Sequence, residues 1–131
     1  MTPELLALSA TAFVQFATVV IAQRGLERDV GHDGNLGTRE GIEDRLSPRT
    51  QRLRRASANF TENIGPFLIA VLVVVLADKT SLLTAVLAWV FVAARILYVP
   101  AYARGWVPWR SYIWFTGFLA TMALLVIGVL P

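Results

Sequence analysis

The sequence predicts an all-α integral membrane protein, a bundle of four transmembrane helices. Three observations lead there. Of its 131 residues 56% are hydrophobic. The nine glycines bring the apolar share to about 63%, against roughly 45–50% for a soluble domain. A chain this short cannot bury so much apolar surface against itself, so the excess must face lipid or other chains. The charges are also segregated: of the 21 Asp, Glu, Lys and Arg residues, 14 lie between Arg24 and Arg55. The apolar residues, finally, fall into four blocks, each able to supply the roughly 20 residues that span a bilayer. Together these exclude a soluble globular domain and a disordered tail. The absence of cysteine excludes a disulfide scaffold, a thiolate metal site and a cysteine nucleophile.

The four blocks are taken in order, as parts of one domain over residues 1–131. Leu5 to Gln23 is 19 residues without a charge. It lacks a basic leader and a small-residue cleavage site and reads as a retained membrane helix. A second block has a clean apolar run only from Ile64 to Ala77. It reaches spanning length by extending back through Ala56, which carries Asn59, Glu62 and Asn63 into or near the membrane. The third runs from Ser81 to about Tyr102 and carries Arg95, and the fourth from about Trp109 to Leu130. One real loop is left, residues 24–55. It is rich in glycine and charge and is expected to be irregular or partly helical.

Topology follows from the cations. The first loop holds eight arginines, and the connection before the fourth span adds Arg104 and Arg110. With four spans these two connections share a side, which the positive-inside rule makes cytoplasmic, with both termini outside. The aromatic residues Tyr98, Tyr102, Trp106, Trp109, Tyr112 and Trp114 form a belt at the same boundary. The net charge of +3 does not mark a nucleic-acid binder, because six acids share the loop with the eight arginines.

Ionisable residues inside spans are costly and mark sites. Arg55, Asn59 and Glu62 are spaced i, i+4, i+7 and line one helix face, with Arg55 at the membrane edge. Arg95, Tyr98 and Tyr102 share a face in the third span, although Pro100 lies within that stretch. Glu62 and Arg95 are expected at similar depth. A buried Glu62–Arg95 ion pair that only fixes packing is the plain reading. The sharper one is a polar pocket, open to the cytoplasm, for a small anionic molecule beside lipid, because three or more arginines exceed what one carboxylate neutralises. His32 reads as solvated surface, and Ser9, Thr11 and Thr18 as bonded to their own backbone. No phosphate loop, dinucleotide fingerprint or metal-ligand cluster is present.

The stretch from Arg55 to Glu62 resembles the RAxxNxxE signature of the MAPEG superfamily, the membrane-associated proteins in eicosanoid and glutathione metabolism. Ala94 to Arg104 resembles that family's ARxxYxxxYxR pattern on its third helix, and residues 35–40 resemble a short segment of prokaryotic-type members. The resemblance covers essentially the whole chain. It implies a left-handed four-helix protomer that assembles as a homotrimer in a bacterial inner membrane, with periplasmic termini.

It also implies a glutathione transferase, and a glutathione peroxidase as a further activity, acting on lipophilic small molecules drawn from membrane lipid, with glutathione as co-substrate between protomers. Arg55, Asn59 and Glu62 would then hold glutathione from one protomer, and Arg95, Tyr98 and Tyr102 from the third helix of its neighbour. Arg110 matches the arginine that stabilises the glutathione thiolate, and Arg24 a second arginine near the substrate. Ala58, Gln23 and Trp114 depart from the eicosanoid synthases, so their specialised activities are not implied. The alternative is a catalytically weak member that binds a lipid or other anionic ligand in the same pocket. A small multidrug transporter would need an acid in the first span, which has none.

Overall fold

The structure, a computed structural model, describes residues 1–131. It consists of four long helices, α1 (Pro3–Leu36), α2 (Pro48–Leu76), α3 (Leu82–Ala103) and α4 (Trp109–Val129), with a single 3-10 turn, Ile42–Arg45, between α1 and α2. All four are long and apolar enough to cross a membrane. α2 and α3 form the central pair, and α1 and α4 each pack against both of them from opposite sides. The two helices that carry the polar motifs are thus the two whose inner faces meet in the middle of the bundle.

Local sequence sets the helix starts. Thr2 caps α1 by accepting a hydrogen bond from the Leu5 N–H at 3.3 Å, with Pro3 in the first turn. Ser47 caps α2 in the same way, accepting from the Thr50 N–H at 3.2 Å, again followed by proline. α3 opens with a reciprocal box in which Ser81 accepts from the Thr84 N–H and Thr84 accepts from the Ser81 N–H. α4 has no side-chain cap at its N-terminus.

The segment 24–55 is more helical than its composition implies. α1 continues past Arg24 to Leu36, bending at Gly31, whose φ of 75° breaks the helical backbone. The reason lies in its apolar residues. Leu26 and Val30 recur four apart and pack with Ile42 and Leu46, so the charged end of α1 buries an apolar stripe against the returning chain. Asp29 secures that return by accepting the Ser47 N–H at 2.8 Å at the start of α2.

The core is centred on the stacked rings of Phe67 and Phe91, 3.9 Å between centroids, set among small and branched residues such as Ala70, Val74, Ala88 and Leu124. Close approach of backbones replaces bulk elsewhere. A Cβ on Gly117 would stand 3.3 Å from the Ala94 Cβ, and one on Gly128 only 2.7 Å from Val73 Cγ1. Small residues at helix crossings are how apolar helices pack when lipid is as apolar as their side chains. The outer surface is correspondingly greasy: Phe13, Phe16 and Ile69 are more than half exposed.

Polar groups tie the ends. Ser9, Thr11 and Thr18 donate to the carbonyls of Leu5, Ala7 and Val14, as expected for hydroxyls in a spanning helix. Glu4 stands at the start of α1 but is fully buried, accepting the Thr84 hydroxyl at 2.6 Å and so joining α1 to the cap of α3. At the same end of the bundle, Lys79 in the α2–α3 connection donates to the carbonyls of Gly128 and Leu130, closing the C-terminus of α4.

Candidate functional site

The two motif faces meet inside one protomer. From α2, Arg55 Nε donates to the Tyr102 hydroxyl at 3.2 Å, and Asn59 Oδ1 accepts from Arg95 Nη2 at 3.1 Å. The i, i+4 spacing on α2 is thereby matched to the i, i+7 spacing on α3, giving two cross-helix hydrogen bonds along the central pair. Contacts within one chain already connect these residues across the central helix pair. α2 and α3 of the same chain bring Arg95, Tyr98 and Tyr102 to Arg55 and Asn59.

Arg95 is the largest fully buried side chain in the protein. Its guanidinium carbon lies over the Phe60 ring, 4.6 Å from the centroid, and over the Tyr98 ring at 4.5 Å. Two aromatic faces and one amide oxygen take the place of a counter-ion, since cation–π attraction strengthens when water is excluded. The expected Glu62–Arg95 ion pair does not form. Phe60 occupies the inward face of α2 beside Arg95, whereas Glu62, two residues on, projects from the exposed side and makes no ion pair. Arg95 Nε, in contrast, is buried without a partner.

Arg110 joins from the first turn of α4. Its guanidinium stacks on Tyr102, 4.6 Å from the ring centroid, and the Tyr102 and Tyr98 rings meet edge to face at 5.6 Å. Arg55, Tyr102 and Arg110 therefore form one chain of contacts, and Asn59, Arg95 and Tyr98 a second. The two chains touch through the tyrosines. Proline at position 100 does not disturb this, because α3 continues as helix to Ala103.

Beside these contacts lies a cleft of about 190 Å³ lined by Asn59, Tyr98, Arg110, Ser111 and Trp114. Trp114 also walls an apolar groove between α2 and α4, about 160 Å³, whose other residues include Pro66, Phe118 and Leu125. One side chain therefore separates a polar space from an apolar one. Its indole N–H is buried with no acceptor. The first turn of α4 lies at the same place, with the Arg110 and Ser111 N–H groups bonded to the carbonyls of Trp106 and Pro108, so the Arg110 guanidinium is the group there that favours negative charge.

Of the residues the sequence singles out, the structure brings together Arg55, Asn59, Arg95, Tyr98, Tyr102 and Arg110. Glu62 lies on the exposed side of α2 one turn beyond Asn59. Arg24 is not brought to the cleft of its own protomer and lines a separate pocket between α1 and α2. Three contributors went unassigned in the sequence reading. Phe60 adjoins Asn59, and its ring lies under the buried Arg95 guanidinium, a cation–π contact that no spacing in the sequence signals. Ser111 adjoins Arg110, and Trp114 stands four residues on, one helical turn along α4.

Fold and site together define an integral membrane four-helix protein with a basic, aromatic cleft at one end of its central helix pair. A model of the MAPEG family matches residues 5–130, and the chain belongs to that family. The family includes glutathione transferases and peroxidases as well as other members. No curated protein matches the chain.

Proposed function

We propose that this protein is a membrane-bound glutathione-dependent transferase and peroxidase acting on lipophilic electrophiles. One observation carries the reading: Arg110 lines a polar cleft that shares the Trp114 side chain with an apolar groove beside it. A peptide thiol fits the first space and a lipid-soluble electrophile the second.

In this proposal Arg55 binds a carboxylate of glutathione at the cytoplasmic edge, and the exposed Glu62 accepts its ammonium group. Asn59, Tyr98 and Tyr102 contact the peptide. Arg95 acts as a positioning residue that fixes the Asn59 amide through its hydrogen bond. Arg110 stands by the sulfur, where a cation favours thiolate over thiol and raises the nucleophile's concentration at neutral pH. The thiol proton passes to water. The thiolate then attacks the electrophilic carbon, and a C–S bond forms as the leaving group departs with its electron pair. With a hydroperoxide, two thiols are oxidised to a disulfide while the O–O bond is reduced to an alcohol and water. Arg24 lies outside its protomer's cleft, and the thiolate role rests on Arg110 alone.

A homotrimer is part of the proposal. Glu62, at the polar start of the second span, is exposed in the protomer, and a carboxylate facing hydrocarbon is expensive. A neighbouring protomer would cover it and complete the site. In this proposal the cleft opens to the cytoplasmic side of a bacterial inner membrane, with periplasmic termini, a reading supported by the arginine-rich connections through the positive-inside rule.

The test uses the purified full-length protein in detergent, with glutathione binding measured by calorimetry and conjugation to chlorodinitrobenzene by absorbance. Binding and turnover are expected. Arg110→Ala should cut conjugation about 100-fold or more while leaving glutathione bound, the scale of losing one preorganised charge-stabilising group. Absence of binding at millimolar glutathione would overturn the proposal. Binding without turnover would favour the reading as a catalytically weak member that holds an anionic ligand, and full activity in Arg110→Ala would remove the thiolate role from Arg110.

A further inference from the structure

The pocket that holds Arg24 lies between α1 and the start of α2 and has a volume of about 300 Å³. Ile21, Arg24, Gly25, Arg28, Arg49 and Leu53 line it. Arg24 and Arg28 stand one turn apart on α1, and Arg49 enters from the first turn of α2. Gly25 lets the two helices approach: a Cβ there would sit 3.0 Å from the Thr50 hydroxyl oxygen. All three arginines are exposed, and neither Arg24 nor Arg49 makes an ion pair. Of the carboxylates on this part of α1, Asp29 lies 3.7 Å from Arg28 but is committed through its other oxygen to the Ser47 N–H, and Glu27 is turned to His32 and Asn35. Positive charge is therefore in excess around a concave space.

The position of the pocket narrows the ligand. Ile21 is among the last residues of the uncharged stretch of α1. Below it the same helix exposes Val20, Phe16 and Phe13. The pocket thus has guanidiniums on its aqueous side and an apolar ramp on its membrane side. The planar guanidinium fork matches phosphate oxygens bidentately, and basic pockets at this depth attract anionic head groups. We propose that this pocket binds the phosphate of an anionic phospholipid, whose acyl chains lie along the exposed apolar face of α1. Within the protomer this pocket shares no lining residue with the cleft at Arg110.

Native mass spectrometry of the full-length protein in detergent tests it, with phosphatidylglycerol and phosphatidylethanolamine of identical acyl chains as probes. Phosphatidylglycerol should be retained about tenfold better or more, since each arginine near the head group is worth about fivefold. Arg24→Gln, Arg28→Gln and Arg49→Gln combined should erase the preference. Arg104→Gln, which removes an exposed arginine from the α3–α4 connection, should leave it intact. Should the triple variant fail to fold by thermal unfolding, Arg24→Gln with Arg49→Gln carries the same comparison. Equal retention of the two lipids would overturn the proposal, as would a preference that survives the arginine variants. Loss of the preference in Arg104→Gln would mean diffuse surface charge and no pocket. Displacement of the lipid by millimolar inorganic phosphate would make the ligand a soluble anion and would also overturn it.

Discussion

Arg95 shows how a charge is kept in a membrane bundle without a counter-charge. Two ring faces and the Asn59 carbonyl oxygen receive it, and none of them adds a second ion to be desolvated. Asn59→Ala should therefore destabilise the protein by about 1–3 kcal/mol, because it strips a buried charged donor of its partner. Tyr102→Phe, which removes a hydrogen bond at the more exposed end of the same helix pair, should cost about 1 kcal/mol or less. Thermal unfolding in one detergent ranks the two, and the reverse order would place the weight of the network on the wrong pair. The sequence made both helix faces legible through spacing, but it could not choose among partners. Glu62 and Arg95 have opposite charges and matched depth, and only the rotation of α2 that turns Phe60 inward decides against their pairing.

Asp29 is the residue for which pH has a defined effect. Its carboxyl is held down to about 2, first by the Thr50 hydroxyl and then by the Ser47 backbone N–H, both of which hydrogen-bond the charged form. A carboxyl whose folded value is depressed contributes stability above its unfolded value, near 3.8, and loses it as pH falls through the folded value. The wild type should thus lose stability between about pH 4 and pH 2. Asp29→Asn should be less stable than wild type at neutral pH and flatter across that window, with the two converging at the acid end. Parallel curves would mean that Asp29 is not what fixes the start of α2.

At the scale of elements, the helices are held by closeness as much as by bulk. Gly128→Ala would press a methyl against Val73, and overpacking of that kind costs about 1–3 kcal/mol. Chemical or thermal unfolding of Gly128→Ala should show this loss, and an unchanged midpoint would mean that α2 and α4 separate there without cost. Helix existence was legible from apolar run length, and the start of α3 from Ser81. The true end of α1, at Leu36, and the true start of α2, at Pro48, were not. A high density of charge reads as loop, and only the recurrence of Leu26 and Val30 with Ile42 and Leu46 reveals that this segment has a second, smaller core to fold against.

For the whole molecule, the motif residues sit on the central helix pair while the outer faces of α1 and α4 remain apolar, an arrangement suited to self-association in lipid. Cross-linking of the detergent-solubilised protein should progress to a trimer, and a ladder ending at dimer would contradict the assembly proposed here. The family was legible in two short motifs. Assembly is less so, because lipid-facing and protomer-facing positions draw on the same residues when both environments are apolar.

Lys79 has a practical consequence. It is the chain's single lysine, and its ammonium group is engaged by the last carbonyls of α4. Apart from the N-terminus, an amine-directed acylating reagent has one target, and that target is partly exposed but hydrogen-bonded while α4 is docked. The rate of labelling at this position is therefore a built-in gauge of how often the end of the fourth helix comes loose, readable in intact membranes without introducing a probe.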